Sequence, residues 1–115
     1  MKNTEFISKI GNEITSRLIE NYGKKIKSII LYGSYARGDN NEDSDMDIMV
    51  LFDCPHDEVI GYRKDISKIA SRIGLENDIL VSIVFRDVDS LNNGYNSLPF
   101  YQNIVKEGQT LYVSI

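Results

Sequence analysis

This chain of 115 residues is poor in several residue types, and each shortage argues against a class of protein. Its single cysteine, Cys54, cannot form an intrachain disulfide and has no metal-binding spacing around it. Its single histidine, His56, stands at a predicted helix start, where a capping or solvent-facing role is favoured over a catalytic one. No apolar run is long enough to cross a membrane, and the N-terminal segment lacks the apolar core of a signal peptide. We therefore expect a soluble, cytoplasmic protein.

Positive charge is also in short supply. Lysine and arginine number 13 against 17 aspartates and glutamates, which gives a formal net charge of −4. A protein that holds a long nucleic acid needs a broad basic surface, so we expect no direct binding of long polynucleotides. A small nucleotide that arrives with its own metal ion remains possible. The length and the 42% hydrophobic content predict that residues 1–115 form one domain with a modest core.

Hydrophobic periodicity predicts a small α+β fold. Apolar residues at three- and four-residue steps predict helices, and nearly continuous apolar runs predict buried strands. The predicted helices cover residues 4–22, 56–73 and 98–107, with a short helix from Ser34 or Tyr35 and a helical turn over 87–91. The predicted strands cover residues 27–32, 47–52, 77–85 and 110–114. This order favours an α+β (α/β) architecture, a small mixed sheet with helices packed against one face.

Two aspartates one residue apart stand where the second predicted strand begins. In an extended strand, residues i and i+2 project from the same face about 7 Å apart, so Asp45 and Asp47 direct two carboxylates at one spot. Buried acids without a counterion are costly. Mg²⁺ prefers oxygen ligands and usually keeps waters and substrate phosphates as its remaining ligands. Asp45 and Asp47 are therefore predicted to bind Mg²⁺.

A glycine-serine turn at the end of the first predicted strand supplies a second half of the site. Gly33 has no Cβ, so a ligand can approach the main chain closely. Backbone N–H groups and the Ser34 hydroxyl at a strand-to-helix turn favour phosphate. Arg37 is suited equally to pairing with a triphosphate oxygen and to plain solvation. A nucleoside triphosphate held here, with its metal on the two aspartates, has its phosphorus placed for attack by a hydroxyl, which is metal-assisted nucleotidyl transfer.

Either pattern alone is more often structural than catalytic, but the two occur together at a specific spacing. Gly33-Ser34 is followed after ten residues by Asp45-Met46-Asp47, with Ala36-Arg37-Gly38 and Ser44 in between. This arrangement resembles the signature of the DNA polymerase beta-type nucleotidyltransferase superfamily, and most closely its minimal nucleotidyltransferases. The C-terminal run 99–108 is also similar to the end of many such proteins. The resemblance implies a nucleotidyltransferase fold, Mg²⁺ on Asp45 and Asp47, and nucleotide binding by Gly33, Ser34, Arg37 and Ser44.

The resemblance also implies a third carboxylate, which would come from a neighbouring strand and take the proton from the attacking hydroxyl. The position that matches it is Ser82, which cannot act as a general base without help. Asp78 is the alternative, four residues earlier on the same predicted strand face. Strand geometry puts it about 13 Å from Ser82, so it can substitute only in a different register. Both Ser82 and Asp78 therefore remain candidate catalytic positions beside Asp45 and Asp47.

Two functions stay open at this point. The first is Mg²⁺-dependent transfer of a nucleoside monophosphate from ATP or another NTP to a hydroxyl. The resemblance implies a tyrosine of a HEPN-type toxin as the acceptor, and hence an antitoxin role. The second is a catalytically weakened nucleotide-binding module that neutralises a HEPN-type ribonuclease by complex formation. Ser82 favours the second function, whereas the intact Gly33, Ser34, Asp45 and Asp47 favour the first. Nucleotidylation of aminoglycosides is disfavoured because no acceptor-binding domain follows the predicted fold.

Overall fold

The computed structural model describes residues 3–93 and 97–114. Six α-helices lie within this part of the chain: α1 Thr4–Tyr22, α2 Ser34–Arg37, α3 His56–Ile60, α4 Arg63–Asn77, α5 Val88–Asn93 and α6 Ser97–Glu107. The strands are β1 Ile26–Tyr32, β2 Met46–Phe52, β3 Val81–Asp87 and β4 Gln109–Val113. Among the described residues, no helix combines the length and the apolar character needed to cross a bilayer.

The four strands form one mixed sheet in the order β3-β2-β1-β4. β1 pairs antiparallel with both β2 and β4, whereas β2 and β3 run parallel. A parallel pair needs a long crossover connection, and α3 and α4 provide it. The register places Asp47 of β2 between Tyr32 of β1 and Ser82 of β3. The residues of the candidate site are thus brought together at one end of the two central strands.

The main core lies between the sheet and the two long helices. Alternate residues of β2, including Ile48, Val50 and Phe52, pack with α1 and α4 on one face. On the opposite face, Ile104 of α6 packs with Ile30 and Met49. The predicted fold class, an α+β fold on a small mixed sheet, is confirmed. The expected packing of helices against one face holds for α1 and α4, and α6 adds a helix to the other face.

The third strand begins four residues later than predicted. α4 continues to Asn77, and Asp78 follows it in the left-handed region with a φ of 53°. The N–H of Ile79 donates to the carbonyl of Gly74 at 3.0 Å, and the Ile79 side chain is buried. Ile79, which the sequence pattern placed in the strand, thus belongs to this turn. The placement of Asp78 on the strand face of Ser82 is therefore wrong, because Asp78 ends a helix.

The second long helix is interrupted where the sequence predicted a continuous one over 56–73. The N–H groups of Gly61 and Tyr62 donate to carbonyls three residues earlier, which ends α3 and turns the chain before α4 begins. The Tyr62 ring then packs against both Tyr22 and Phe52, with ring centroids 4.5 and 5.2 Å away. The hydrophobic periodicity continues across the interruption, so the sequence pattern did not reveal it.

His56 is the first residue of α3 and makes a contact that the sequence did not predict. Its Nδ1 lies 2.8 Å from Oδ1 of Asp87, which is almost fully buried at the end of β3. The N–H of Ser90 donates to the other carboxylate oxygen at 2.9 Å. Burial by itself would raise the pKa of Asp87, but these hydrogen bonds hold the pKa below its usual value. The cluster fastens α3 and α5 to the edge strand β3.

Candidate active site

Gly33 joins β1 to α2 in a conformation that other residues avoid. Its φ of 77° and ψ of −157° fall in a region that is essentially restricted to glycine. A Cβ at this position would collide with Oδ2 of Asp47 and would lie only 3.3 Å from Cγ of the same side chain. The turn therefore needs glycine for two independent reasons, its backbone conformation and the close approach of the Asp47 carboxylate.

The single turn of α2 begins directly after Gly33. The Gly33 carbonyl accepts from the N–H groups of Ala36 and Arg37, each at 3.1 Å, and Gly38 ends the helix in the left-handed conformation. The first N–H groups of a helix have no acceptor within that helix. The N–H groups at the start of α2 and the Ser34 hydroxyl can therefore donate to an anion that lies beside Gly33.

The two aspartates differ in exposure but share one space. Asp47 is half-buried in β2, and Asp45 is exposed just before that strand. Burial raises the pKa of Asp47 above its usual value, the negative charge of Asp45 raises it further, and the Arg37 guanidinium lowers it. Two carboxylates with this mutual repulsion form a set of hard oxygen ligands that a divalent cation would stabilise. The residues present thus fit a divalent metal ion bound jointly with substrate oxygens.

Ser82 lies directly opposite Asp47 in the parallel register of β2 and β3. Paired residues of neighbouring strands point to the same face, and their backbones lie about 4.8 Å apart. Ser82 therefore occupies the position beside Asp47 that the sequence assigned to a third acid. Asp78 lies outside this strand, at the end of α4. Over residues 3–93 and 97–114, no three side chains of the acidic, histidine or cysteine type converge in a way that could hold a metal.

Arg37 and Ser44 lie around the aspartates in different ways. The Arg37 side chain forms ion pairs with Asp39, at 3.2 Å, and with Glu107 of α6, at 3.6 Å. Ser44 closes the loop before Asp45, because its Oγ accepts from the N–H of Asn41 at 2.9 Å. The Arg37 guanidinium lowers the pKa of Asp47. The Ser44 hydroxyl, in contrast, orders the loop that carries Asp45.

Two tyrosines beside the aspartates were missed by the sequence reasoning. Tyr32 pairs with Asp47 across β1 and β2 and packs edge-on against Phe100 of α6. Burial raises the pKa of the Tyr32 hydroxyl, Asp47 raises it further, and Arg86 lowers it. Burial and then Asp45 likewise raise the pKa of Tyr35. The signal available in the sequence was proximity to the turn, since both residues lie within two positions of Gly33.

The sequence model of the nucleotidyltransferase domain family matches residues 12–109. The chain belongs to this family. The predicted resemblance to minimal nucleotidyltransferases and the predicted enzyme class, nucleotidyltransferase, are thereby confirmed. Nucleotidyltransferases of this type generally use divalent metals, and Asp45 and Asp47 offer carboxylate oxygens of the kind that such metals prefer.

Individual proteins similar to this nucleotidyltransferase include a relative from Methanocaldococcus jannaschii named "Putative protein adenylyltransferase MJ0604". The two sequences are 33% identical over 100 residues, which cover 87% of this chain and 92% of the relative. A crystal structure described as a toxin-antitoxin with AMP-PNP superposes with a TM-score of 0.60 at 26% identity, covering 90% of this chain and 73% of the other.

A third comparison shows the fold alone. It is a complex of a tri-AMPylated Shewanella oneidensis HEPN toxin with an MNT antitoxin, matched at 22% identity with a TM-score of 0.55. The match covers 93% of this chain and 73% of the other.

Proposed function

We propose that this nucleotidyltransferase transfers AMP from Mg²⁺-bound ATP to a tyrosine hydroxyl of a HEPN-type toxin and thereby acts as its antitoxin. The observation that carries the proposal is the contact between the Gly33 turn and the Asp47 carboxylate, with Asp45 beside it. Hydrogen-bond donors suited to phosphate oxygens and a pair of carboxylates suited to a metal ion share one space there. This arrangement suits the transfer of a phosphorus centre to a hydroxyl better than any other chemistry of these residues.

Each residue of the site has a distinct proposed role. The N–H groups at the start of α2 and the Ser34 hydroxyl hold triphosphate oxygens, and Arg37 exchanges a surface ion pair for one with the nucleotide. Asp45 and Asp47 hold Mg²⁺, which when bound would draw negative charge from the phosphates and make the phosphorus easier to attack. Ser44 keeps the loop before Asp45 in place.

The proposed reaction forms one bond and breaks another. The acceptor oxygen bonds to the α-phosphorus of ATP, the bond from that phosphorus to the bridging β-phosphate oxygen breaks, and pyrophosphate leaves. The hydroxyl proton passes to solvent water, because Ser82 is no base for it at neutral pH. Since a positioned acid-base group contributes about 100- to 10,000-fold, we expect slow turnover in this chain.

The relatives support the nucleotide and the type of acceptor. The M. jannaschii relative carries the name of a protein adenylyltransferase, and the similar toxin-antitoxin structure contains AMP-PNP. A HEPN-type partner follows from the resemblance of the Gly33–Asp47 segment to minimal nucleotidyltransferases. One observation favours a second candidate function, neutralisation of the partner by binding alone. It is Ser82 in place of the third carboxylate.

Co-expression with a HEPN-type protein, sought first among the products of neighbouring genes, tests the proposal. The expected result is a partner that carries one or more added AMP masses in intact-protein mass spectrometry. The Asp45→Asn, Asp47→Asn double variant is the control and should show neither the added mass nor protection of the host cell. Protection without added mass in the wild type would select the binding-only function. Neither association nor added mass would overturn the antitoxin role.

Restoring the third acid should make the enzyme faster. In the Ser82→Asp variant a carboxylate would lie beside Asp47, where it could take the proton and complete the metal site. We expect transfer to rise by about 10- to 100-fold, up to the lower limit of the range for a positioned acid-base group. Single-turnover transfer of the AMP group from labelled ATP provides the measurement. The matched variant is Ser82→Asn, which has similar size without the charge and should show no gain.

The opposite pattern would reassign the third acid. If Ser82→Asp leaves the rate unchanged while Asp78→Asn abolishes transfer, then Asp78 reaches the reacting atoms in the nucleotide complex.

A further inference from the structure

Two leucines beside the candidate site are unusually exposed. Leu75 is 85% exposed and Leu80 is 71% exposed, more than any other exposed large apolar side chain among the described residues. Isolated apolar side chains on a surface need no explanation. These two, however, line a single cleft of about 650 Å³, and Asp45 lines the same cleft. An apolar surface is therefore continuous with the proposed catalytic centre.

The backbone holds Leu80 in a fixed position relative to the aspartates. Its carbonyl accepts from the N–H of Met46, the residue between Asp45 and Asp47, at 2.8 Å. The preceding residue, Ile79, is buried, and its carbonyl lies so close to Gly74 that a Cβ there would approach it to 2.6 Å. The turn is thus anchored on both sides while the Leu80 side chain points outward. A partner that contacted Leu80 would be held in a fixed position relative to the aspartates.

The rim of this cleft carries charge of one sign. Its charged residues are all acidic, and no lysine, arginine or histidine of the described part of the chain lines it. None of these acids takes part in an ion pair among the described residues. They are Glu42, Asp43, Asp45 and Asp78. Such a rim favours a partner surface with lysines or arginines.

A second copy of this chain is a poor occupant of the cleft. A symmetric pair formed through it would bring the two acidic rims together, and like charges in contact disfavour association. The net charge of −4 adds a long-range repulsion between copies, although the neighbouring cleft, which Leu75 also lines, carries Lys64, Lys68 and Arg72.

We propose that the leucine face, defined as Leu75 and Leu80 with the acidic rim of Glu42, Asp43 and Asp78, docks the acceptor protein. The surface it recognises presents apolar side chains next to lysines or arginines, with the acceptor hydroxyl within reach of Asp45 and Asp47. This inference rests on the proposed function, since it assumes a protein acceptor.

The decisive variant is the double substitution Leu75→Ser, Leu80→Ser. Its control is Val113→Ser, which changes a side chain that is 59% exposed on β4, at the opposite edge of the sheet from β3. The readouts are affinity for the co-expressed HEPN-type protein, AMP transfer to it, and calorimetric binding of Mg·ATP. We expect the double variant to lose about 10- to 100-fold in partner affinity, as at interface hot spots, while it binds Mg·ATP like the wild type. Val113→Ser should match the wild type in all three.

Unchanged partner affinity in the double variant would overturn the docking proposal and leave the proposed function intact. A matching loss of Mg·ATP affinity would overturn it too, because the cleft would then belong to the nucleotide. If the wild type neither binds the partner nor transfers AMP, the proposed function is overturned, and the docking proposal that rests on it is overturned as well. Should the double variant fail to fold, Glu42→Gln with Asp43→Asn provides a second test. It should slow association several-fold at low salt and weaken the salt dependence, and an unchanged rate would contradict the proposal.

Discussion

Replacing Asp45 and Asp47 together with asparagine should abolish nucleotidyl transfer while the fold persists. Both side chains lose the charge that a divalent cation requires, yet they keep their size and polarity. Since metal assistance supplies several kcal/mol of transition-state stabilisation, transfer should fall on the order of 1,000-fold. Initial rates of AMP transfer provide the measurement, and calorimetry should show that binding of ATP no longer depends on Mg²⁺.

The same variant should be more stable than the wild type at neutral pH when no metal is present. Asp47 has a raised pKa in the folded protein, so its charged form opposes folding at neutral pH. As the pH falls through that raised pKa towards the ordinary value of 3.8, Asp47 of the folded wild type becomes protonated. The destabilisation caused by its charge is then removed. The melting temperature of the variant should therefore exceed that of the wild type at pH 7, and the difference should shrink on acidification. A collapse of the variant's melting temperature would indicate a structural role for the pair.

Changing Gly33 to alanine should have the second large effect. The new Cβ would displace the Asp47 carboxylate, and a misplacement of about 1 Å at a reacting centre can cost roughly 100-fold in rate. The glycine-only backbone conformation adds about 1 to 3 kcal/mol of strain. We expect transfer to fall at least about 100-fold and the melting temperature to decrease. Kinetics and thermal unfolding of one preparation give both measurements.

Gly38→Ala is the matched control for this prediction. Gly38 also has a positive φ, 82°, but a Cβ there meets no atom within 4 Å. It adopts the left-handed helical conformation, so alanine should cost about 1 to 2 kcal/mol of stability with transfer nearly unchanged. Equal losses of transfer in the two variants would show that backbone strain near α2, and not displacement of Asp47, limits the enzyme.

Local sequence patterns were sufficient for the elements that carry the site. α1 covers Thr4–Tyr22 as predicted, because its apolar residues repeat at helical spacing and Gly23 ends it. β1 and β2 begin one residue earlier than expected, within the usual uncertainty of boundaries. Asp45 and Asp47 share a space because alternation along an extended chain is a property of the chain itself. The Gly-Ser turn and the spacing to the aspartates also identified the family.

Contacts between segments far apart in the sequence could be decided only by the tertiary structure. The family resemblance matched Ser82 to the third-acid position, but its pairing with Asp47 depends on the crossover through α4, which sets the register of β3. The helical end at Asp78 depends on the packing of Ile79 against Gly74, and the position of Leu80 depends on its hydrogen bond to Met46. Periodicity reports which side of an element is apolar, whereas its partners are selected by packing and hydrogen bonds across the fold. The sequence by itself therefore determined the chemistry of the two aspartates, and only the folded chain decided what surrounds them.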